Sequence, residues 1–163
     1  MSELEFDERG FLKPYKKVSV TAEELEAVFV STFVNSTTRP NIFKNYLRFI
    51  KDFREEVTPR FVQWLNGSFI SRKENPGDLD LVTLLDAETA LLKDTIMDSK
   101  IRNEGALKHY NLDAYELVVY PEWHKDFIFT KSDQLYWHHW FSMSKLNRAK
   151  KRFPKGFVEI NFV

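Results

Sequence analysis

Two aspartates separated by one leucine, Asp78 and Asp80, stand where a polar loop enters an apolar run. If residues 79–85 form a β-strand, its side chains alternate between two faces, so both carboxylates point the same way at the start of the strand. Two carboxylates on one face repel each other, and the arrangement is favourable mainly when a divalent cation lies between them. Oxygen ligands suit Mg²⁺ or Mn²⁺. The pair therefore predicts a metal site.

A Gly-Ser turn, Gly67-Ser68, precedes the aspartates and follows another apolar run. Glycine lets the backbone approach a ligand closely, and the following N–H groups and the Ser68 hydroxyl can hold a phosphate. An ordinary strand-to-helix turn is the alternative. Arg72 and Lys73 lie in the intervening loop, where they can neutralise a triphosphate. A solvated loop charge is an equally common role for each.

The order Gly67-Ser68, a short loop and Asp78-x-Asp80, set between two apolar runs, resembles the signature of the DNA polymerase beta-like nucleotidyltransferase superfamily. The signature covers residues 67 to 82 and looks most like that of the small minimal nucleotidyltransferases of bacteria and phages. It also resembles a bacterial family of largely uncharacterised members. The resemblance implies a Mg²⁺-dependent (or Mn²⁺-dependent) enzyme that transfers a nucleoside monophosphate from a nucleoside triphosphate to a protein or nucleic-acid acceptor. Small members of the superfamily often occur in toxin–antitoxin or phage-defence modules, where a partner protein is the acceptor.

The resemblance also implies a third catalytic, metal-binding carboxylate on a neighbouring strand, and the next predicted strand offers two. Asp113 and Glu116 are three residues apart, so they must face opposite sides of the sheet, and only one can join Asp78 and Asp80. We expect Asp113, because it enters its strand at the same end as the aspartate pair if the two strands are parallel. Antiparallel pairing would favour a later residue. The other carboxylate is then solvated or paired with a basic side chain such as Lys125.

The elements that position these residues follow from periodicity and capping signals. A capping box at residues 21–24 predicts the start of the first helix. Further helices are predicted over residues 40–56 and 87–99 and from residue 132, and strands over 60–65, 79–85, 112–120 and 157–162. This pattern predicts an α+β fold with a small mixed sheet of three to four strands flanked by helices. We expect one nucleotidyltransferase-like domain over residues 1–163, with an extended N-terminal segment at 1–20.

Composition excludes several kinds of chemistry. The chain has no cysteine, which excludes disulfides, Cys-ligated zinc and thiol catalysis. It contains no apolar run of membrane-spanning length, and its acidic N-terminus lacks the features of a signal peptide, so we expect a cytoplasmic protein. The 24 basic and 24 acidic residues balance, so global charge gives no argument for nucleic-acid binding.

Basic residues nevertheless cluster near the C-terminus. The cluster consists of Lys145, Arg148, Lys150, Lys151, Arg152 and Lys155. Such a cluster is usually a solvated face, but here it can meet an RNA or an acidic partner. Two other functions therefore compete with catalysis. One is a binding protein with a degenerate active site, such as an antitoxin acting by occlusion. The position of the third carboxylate distinguishes this function from catalysis. The other is an RNA-binding protein, whose binding would depend steeply on salt.

Overall fold

The computed structural model describes residues 4–163, and its centre is a five-stranded mixed sheet. The strands are β1 (Glu5–Phe6), β2 (Leu12–Lys13), β3 (Lys17–Ser19), β4 (Phe61–Asn66), β5 (Asp80–Asp86), β6 (Asp113–Val119) and β7 (Phe157–Phe162). The helices are α1 (Ala22–Glu26), α2 (Arg39–Glu56), α3 (Ala87–Leu92), α4 (Asp94–Ile96), α5 (Asn103–Tyr110) and α6 (Phe127–Ser142). Short π-helical turns follow α1 and α4, and a 3₁₀ turn, Ser68–Ile70, follows β4.

The sheet has the strand order β3-β7-β4-β5-β6, while β1 and β2 form a separate antiparallel pair. Strand β4 is antiparallel to both of its neighbours, β5 and β7, whereas β5 runs parallel to β6 and β3 runs parallel to β7. The α+β class is as predicted, but the sheet exceeds the expected three to four strands. The additional strand is β3, whose three residues are too few to produce a recognisable alternation.

The two faces of the sheet are both covered, but unequally. The larger core lies between one face and helices α2 and α5, and it includes Phe49, Phe53, Leu81 and Ala114. A smaller core lies under α6 on the other face, and it contains Trp64, Val82, Leu117, Phe141 and Phe157. Side chains alternate between the two faces along β4, β5 and β6. As a result Asp80 and Asp113, the first residues of β5 and β6, lie at the margin of the smaller core.

Helix boundaries match the capping signals where such signals exist. The capping box at Thr21 is confirmed, since the Thr21 and Glu24 side chains and backbone N–H groups bond reciprocally. Helix α6 begins at Phe127, before the predicted residue 132, and no side chain caps it. None of the helices formed by residues 4–163 is both long enough and apolar enough to cross a membrane.

Candidate functional site

Asp80 and Asp113 lie directly opposite each other on the parallel strands β5 and β6. Register partners in neighbouring strands share a face, so the two carboxylates stand side by side at the beginning of both strands. Asp78 precedes β5 by two residues, and the backbone N–H of Asp113 donates a hydrogen bond of 3.1 Å to the carbonyl of Leu79 between the two aspartates. The parallel pairing on which the choice of Asp113 depended is therefore present.

Glu116, the alternative third carboxylate, lies on the opposite face. It is the register partner of Thr83 and pairs with Arg102, which also bonds Asp94 at 2.7 Å. Its side chain is 7% exposed. Its partner is therefore Arg102 rather than Lys125, and Glu116 is not available to Asp78 and Asp80.

Gly67, in the Gly-Ser turn, lies in close contact with the side chain of Asp80. It follows β4 with φ +83° and ψ −167°, a conformation that side chains disfavour. A Cβ atom at this position would lie 2.5 Å from Oδ2 and 2.8 Å from Cγ of Asp80. The backbone of Gly67 is therefore packed against the Asp80 carboxylate, and Ser68 opens the 3₁₀ turn immediately beyond it.

Asn66, the last residue of β4, adds a buried polar group that the sequence analysis did not select. It is the register partner of Asp80 and is 4% exposed. Its Oδ1 has no hydrogen-bond partner among the described residues. A buried amide oxygen without a partner is costly, and it marks a place where a ligand or ordered water can bind. In the sequence, only the position of Asn66 next to Gly67 indicated that it belongs to the site.

The electrostatics of the site reflect crowding of like charges. Burial, and then the negative charges of Asp78 and Asp113, raise the pKa of Asp80 to about 6. Burial, and then Asp113, raise the pKa of Asp78. Both effects penalise the ionised carboxylates. A site that concentrates unfavourable negative charge in this way gains most from a bound cation.

Two lysines of the C-terminal cluster oppose this repulsion. The positive charges of Lys145 and Lys155 both act to lower the pKa of Asp80. Lys155 is half-buried, and burial lowers its own pKa to about 8, although Asp80 opposes that shift. Neither lysine was assigned to the site from the sequence. They lie more than sixty residues after Asp80, and only the fold brings them together.

Arg72 and Lys73, the two basic residues of the loop between the Gly-Ser turn and the aspartates, have different neighbours. Lys73 lies close enough for its charge to lower the pKa of Asp78. Arg72 instead faces the N-terminal segment: its Nη2 donates a 3.1 Å hydrogen bond to the carbonyl of Glu8, and its backbone N–H donates to Gly10. Of the two side chains, Lys73 therefore acts on the carboxylate of Asp78, whereas Arg72 is held by the N-terminal segment.

Arg39 holds this loop from inside the protein. The side chain is fully buried, and its two terminal nitrogens donate to the carbonyls of Phe69, Ser71 and Lys73, and also to that of Phe29, at 2.6–2.7 Å. Burial lowers the pKa of Arg39 to about 10. Arginine supplies a planar fork of donors that one lysine cannot match. Arg39 stands in a polar Ser-Thr-Thr-Arg-Pro segment that resembles a surface loop, so no sequence pattern indicated this role.

The donor set fits Mg²⁺ or Mn²⁺, because the carboxylates and the unpaired amide of Asn66 offer oxygen ligands. Within residues 4–163, however, no three histidine, aspartate or glutamate side chains converge tightly enough to hold an ion as they stand. Repulsion among crowded carboxylates is relieved when one of them holds a proton or when a cation binds between them. Asp78, Asp80 and Asp113 are the residues that would hold the ion.

Two cavities lie away from the carboxylates. A cavity of about 540 Å³ opens between α1, α2 and β7, beside Leu47 and Arg54. Another, of about 350 Å³, lies beside α6 and is lined by Trp64, Lys131 and His138. None of the three aspartates lines either cavity. The three carboxylates are half-buried at the end of the sheet, and their charge and geometry identify the candidate site.

Comparison with known proteins places the chain in a family without assigning a reaction to it. No curated protein and no solved structure matches the chain. The family of unknown function DUF6932 matches residues 4–161, nearly the entire length, and the chain therefore belongs to that family.

Proposed function

We propose that this protein is a Mg²⁺-dependent nucleotidyltransferase that transfers a nucleoside monophosphate from a nucleoside triphosphate to an acceptor. The observation that carries the proposal is the register pairing of Asp80 with Asp113. It provides a third carboxylate level with the Asp78–Asp80 pair, beside the Gly67 turn. These features support the resemblance of residues 67 to 82 to the DNA polymerase beta-like superfamily and a nucleotidyltransferase-like fold.

Each group of site residues would have its own role in the reaction. In the reaction an acceptor oxygen attacks the α-phosphorus, the bond from that phosphorus to pyrophosphate breaks, pyrophosphate leaves, and the proton of the acceptor hydroxyl passes to solvent water. A divalent cation bound to the aspartates would neutralise charge that develops on the phosphate oxygens. Gly67 and Ser68 would hold phosphate oxygens through backbone N–H groups and the hydroxyl. Lys73 would offset the remaining triphosphate charge.

The direct test is transfer of label from each α-³²P nucleoside triphosphate, with Mg²⁺ or Mn²⁺, alone and with the protein encoded next to this one. We expect a labelled product that is lost in Asp113→Ala and retained in Glu55→Gln, an exposed acid without a side-chain partner among the described residues. Absence of transfer and of pyrophosphate release with every nucleotide, metal and acceptor would refute the proposal.

A second candidate is a binding protein of the same fold without catalysis. One observation favours it: in the described part of the chain, no group of three potential ligands is arranged to hold an ion. Calorimetric titration separates the two functions. Nucleotide binding that needs Mg²⁺ and Asp80 supports the enzyme, whereas nucleotide binding that is unaffected by metal and by Asp80→Asn supports the binding protein.

A further inference from the structure

A C-terminal hairpin, residues 143–155, projects between α6 and β7. Met143 and Pro154 form an antiparallel bridge at its base, and the backbone N–H of Ser144 donates to the carbonyl of Phe153 at 2.8 Å. A turn between Asn147 and Lys151 closes its tip. The hairpin is therefore fixed at its base, and its side chains have defined positions relative to the sheet.

The C-terminal hairpin carries a local surplus of positive charge. All six residues of the C-terminal basic cluster lie in it, and residues 143–155 contain no acidic residue. None of the six forms an ion pair in the structure of residues 4–163. Because the whole chain is neutral, this surplus is a property of one surface. Unpaired cations grouped in this way favour a polyanion.

The hairpin leads outward from the candidate site. Lys145 and Lys155, near its base, are the two lysines whose charges act on Asp80. Arg148, Lys150 and Lys151 are exposed toward the tip. A polyanion that follows these side chains would reach the carboxylates with one of its ends.

Exposed aromatic rings accompany the basic side chains. Trp140 is 44% exposed, the Arg152 guanidinium lies 5.4 Å from its ring centroid, and the Tyr136 ring is 6.1 Å away. Tyr136 is 55% exposed, and its ring lies 5.4 Å from that of Trp137, which in turn lies 4.8 Å from the ring of Tyr115 on the carboxylate face of β6. A series of rings therefore runs from the C-terminal hairpin to the carboxylates.

We infer that the C-terminal hairpin together with Tyr136 and Trp140 forms a binding surface for single-stranded nucleic acid, whose terminus is the acceptor. The inference that the bound strand is the acceptor rests on the proposed function. The inference that the strand binds to this surface does not depend on that function. Basic side chains track the phosphates, and exposed rings stack on bases that a duplex keeps hidden. An acidic protein would pair with the cations but would not need the rings.

The test measures binding without catalysis. Fluorescein-labelled 12-nucleotide oligouridine, its deoxy counterpart and a duplex of equal length are titrated by anisotropy over a range of salt, in EDTA and without nucleotide. Replacing Arg148, Lys150 and Lys151 by glutamine should weaken single-strand binding at least tenfold and reduce the log–log salt slope by about 2. The matched control replaces Lys44, Lys51 and Lys108, which are exposed on α2 and α5, and should leave both quantities unchanged.

Separate variants test the contribution of the aromatic rings to single-strand binding. Trp140→Ala should weaken single-strand binding by about tenfold and leave duplex binding unchanged. Trp123→Ala removes a ring that is 83% exposed elsewhere and should change neither. If Trp140→Ala does not fold, Tyr136→Ala tests the same surface.

Several results would overturn this inference. They are no oligonucleotide binding at low salt, an equal loss in the Lys44 control, and displacement of the labelled single strand by an acidic peptide as readily as by unlabelled single strand. Oligonucleotide binding without any nucleotidyl transfer would refute the proposed function but leave the surface standing. Transfer to a protein acceptor with no oligonucleotide binding would refute the surface alone.

Discussion

Gly67 leaves no room for a side chain beside Asp80: a Cβ atom on the glycine would lie 2.5 Å from the carboxylate Oδ2. The close approach joins the two halves of the sequence signature in space. It follows from the antiparallel pairing of β4 with β5, which sets Asn66 opposite Asp80 and sends the chain across that carboxylate at the next residue. A substitution at Gly67 therefore acts on the turn and on the carboxylate together.

We expect Gly67→Ala to lower the free energy of unfolding by about 1–3 kcal/mol, because alanine disfavours a φ of +83° and its methyl group meets Asp80. Mg²⁺-dependent nucleotide binding should be lost, and Gly67→Val should have the larger effect on both quantities. Urea denaturation and calorimetric titration measure them. Gly77→Ala is the matched control, since a Cβ there has no neighbour within 4 Å. Normal nucleotide binding by Gly67→Ala would show that this glycine is only a loop residue.

The raised pKa of Asp80 predicts an unusual dependence of stability on pH. The folded protein retains a proton on Asp80 up to about pH 6, whereas the unfolded chain loses it near its ordinary value of 3.8. More protons are therefore bound in the folded state between these values, so the free energy of unfolding should fall as pH rises through this window. The sign is opposite to that of a carboxylate in a favourable ion pair.

Asp80→Asn should remove the part of this dependence that Asp80 contributes and stabilise the metal-free protein at pH 7 by up to about 3 kcal/mol, since each pKa unit corresponds to about 1.4 kcal/mol. Denaturation in EDTA from pH 4 to 7 measures the change, and Glu55→Gln is the control. The double variant Asp78→Asn with Asp80→Asn should also lose Mg²⁺-dependent triphosphate binding. A pH profile that Asp80→Asn leaves unchanged would contradict the charge crowding described for this site.

Sequence patterns predicted the parts of the site that depend on local order. Asp113 could be chosen because the side-chain period of a strand separates it from Glu116, and the parallel pairing then brings it to Asp80. Arg39 and Lys155 could not be found in this way, because their roles depend on contacts between distant segments. Arg72 has the same charge as Lys73 and stands beside it, yet the carbonyl of Glu8 draws it away.

Arg39 is expected to be required for stability and for the shape of the loop. Arg39→Ala leaves four carbonyl groups without their donor, including those of Phe69 and Ser71, and should cost more than about 3 kcal/mol. Arg39→Lys should recover only part of the loss, because an ammonium group cannot reach all four acceptors. Thermal denaturation provides the measurement, with the exposed Arg60→Ala as control. Equal stability of the lysine variant and the native protein would refute this role.

The two carboxylates of β6 should give opposite results when each is replaced. Asp113→Asn removes a carboxylate from the crowded site, so nucleotidyl transfer should be abolished while the protein keeps or gains stability and much of its nucleotide affinity. Glu116→Gln weakens the ion pair with Arg102 on the far face, so it should lower the free energy of unfolding by about 1–3 kcal/mol and leave transfer intact. Urea denaturation and the label-transfer assay distinguish these outcomes. Loss of transfer in a folded Glu116→Gln, together with full activity of Asp113→Asn, would reverse the assignment of the third carboxylate.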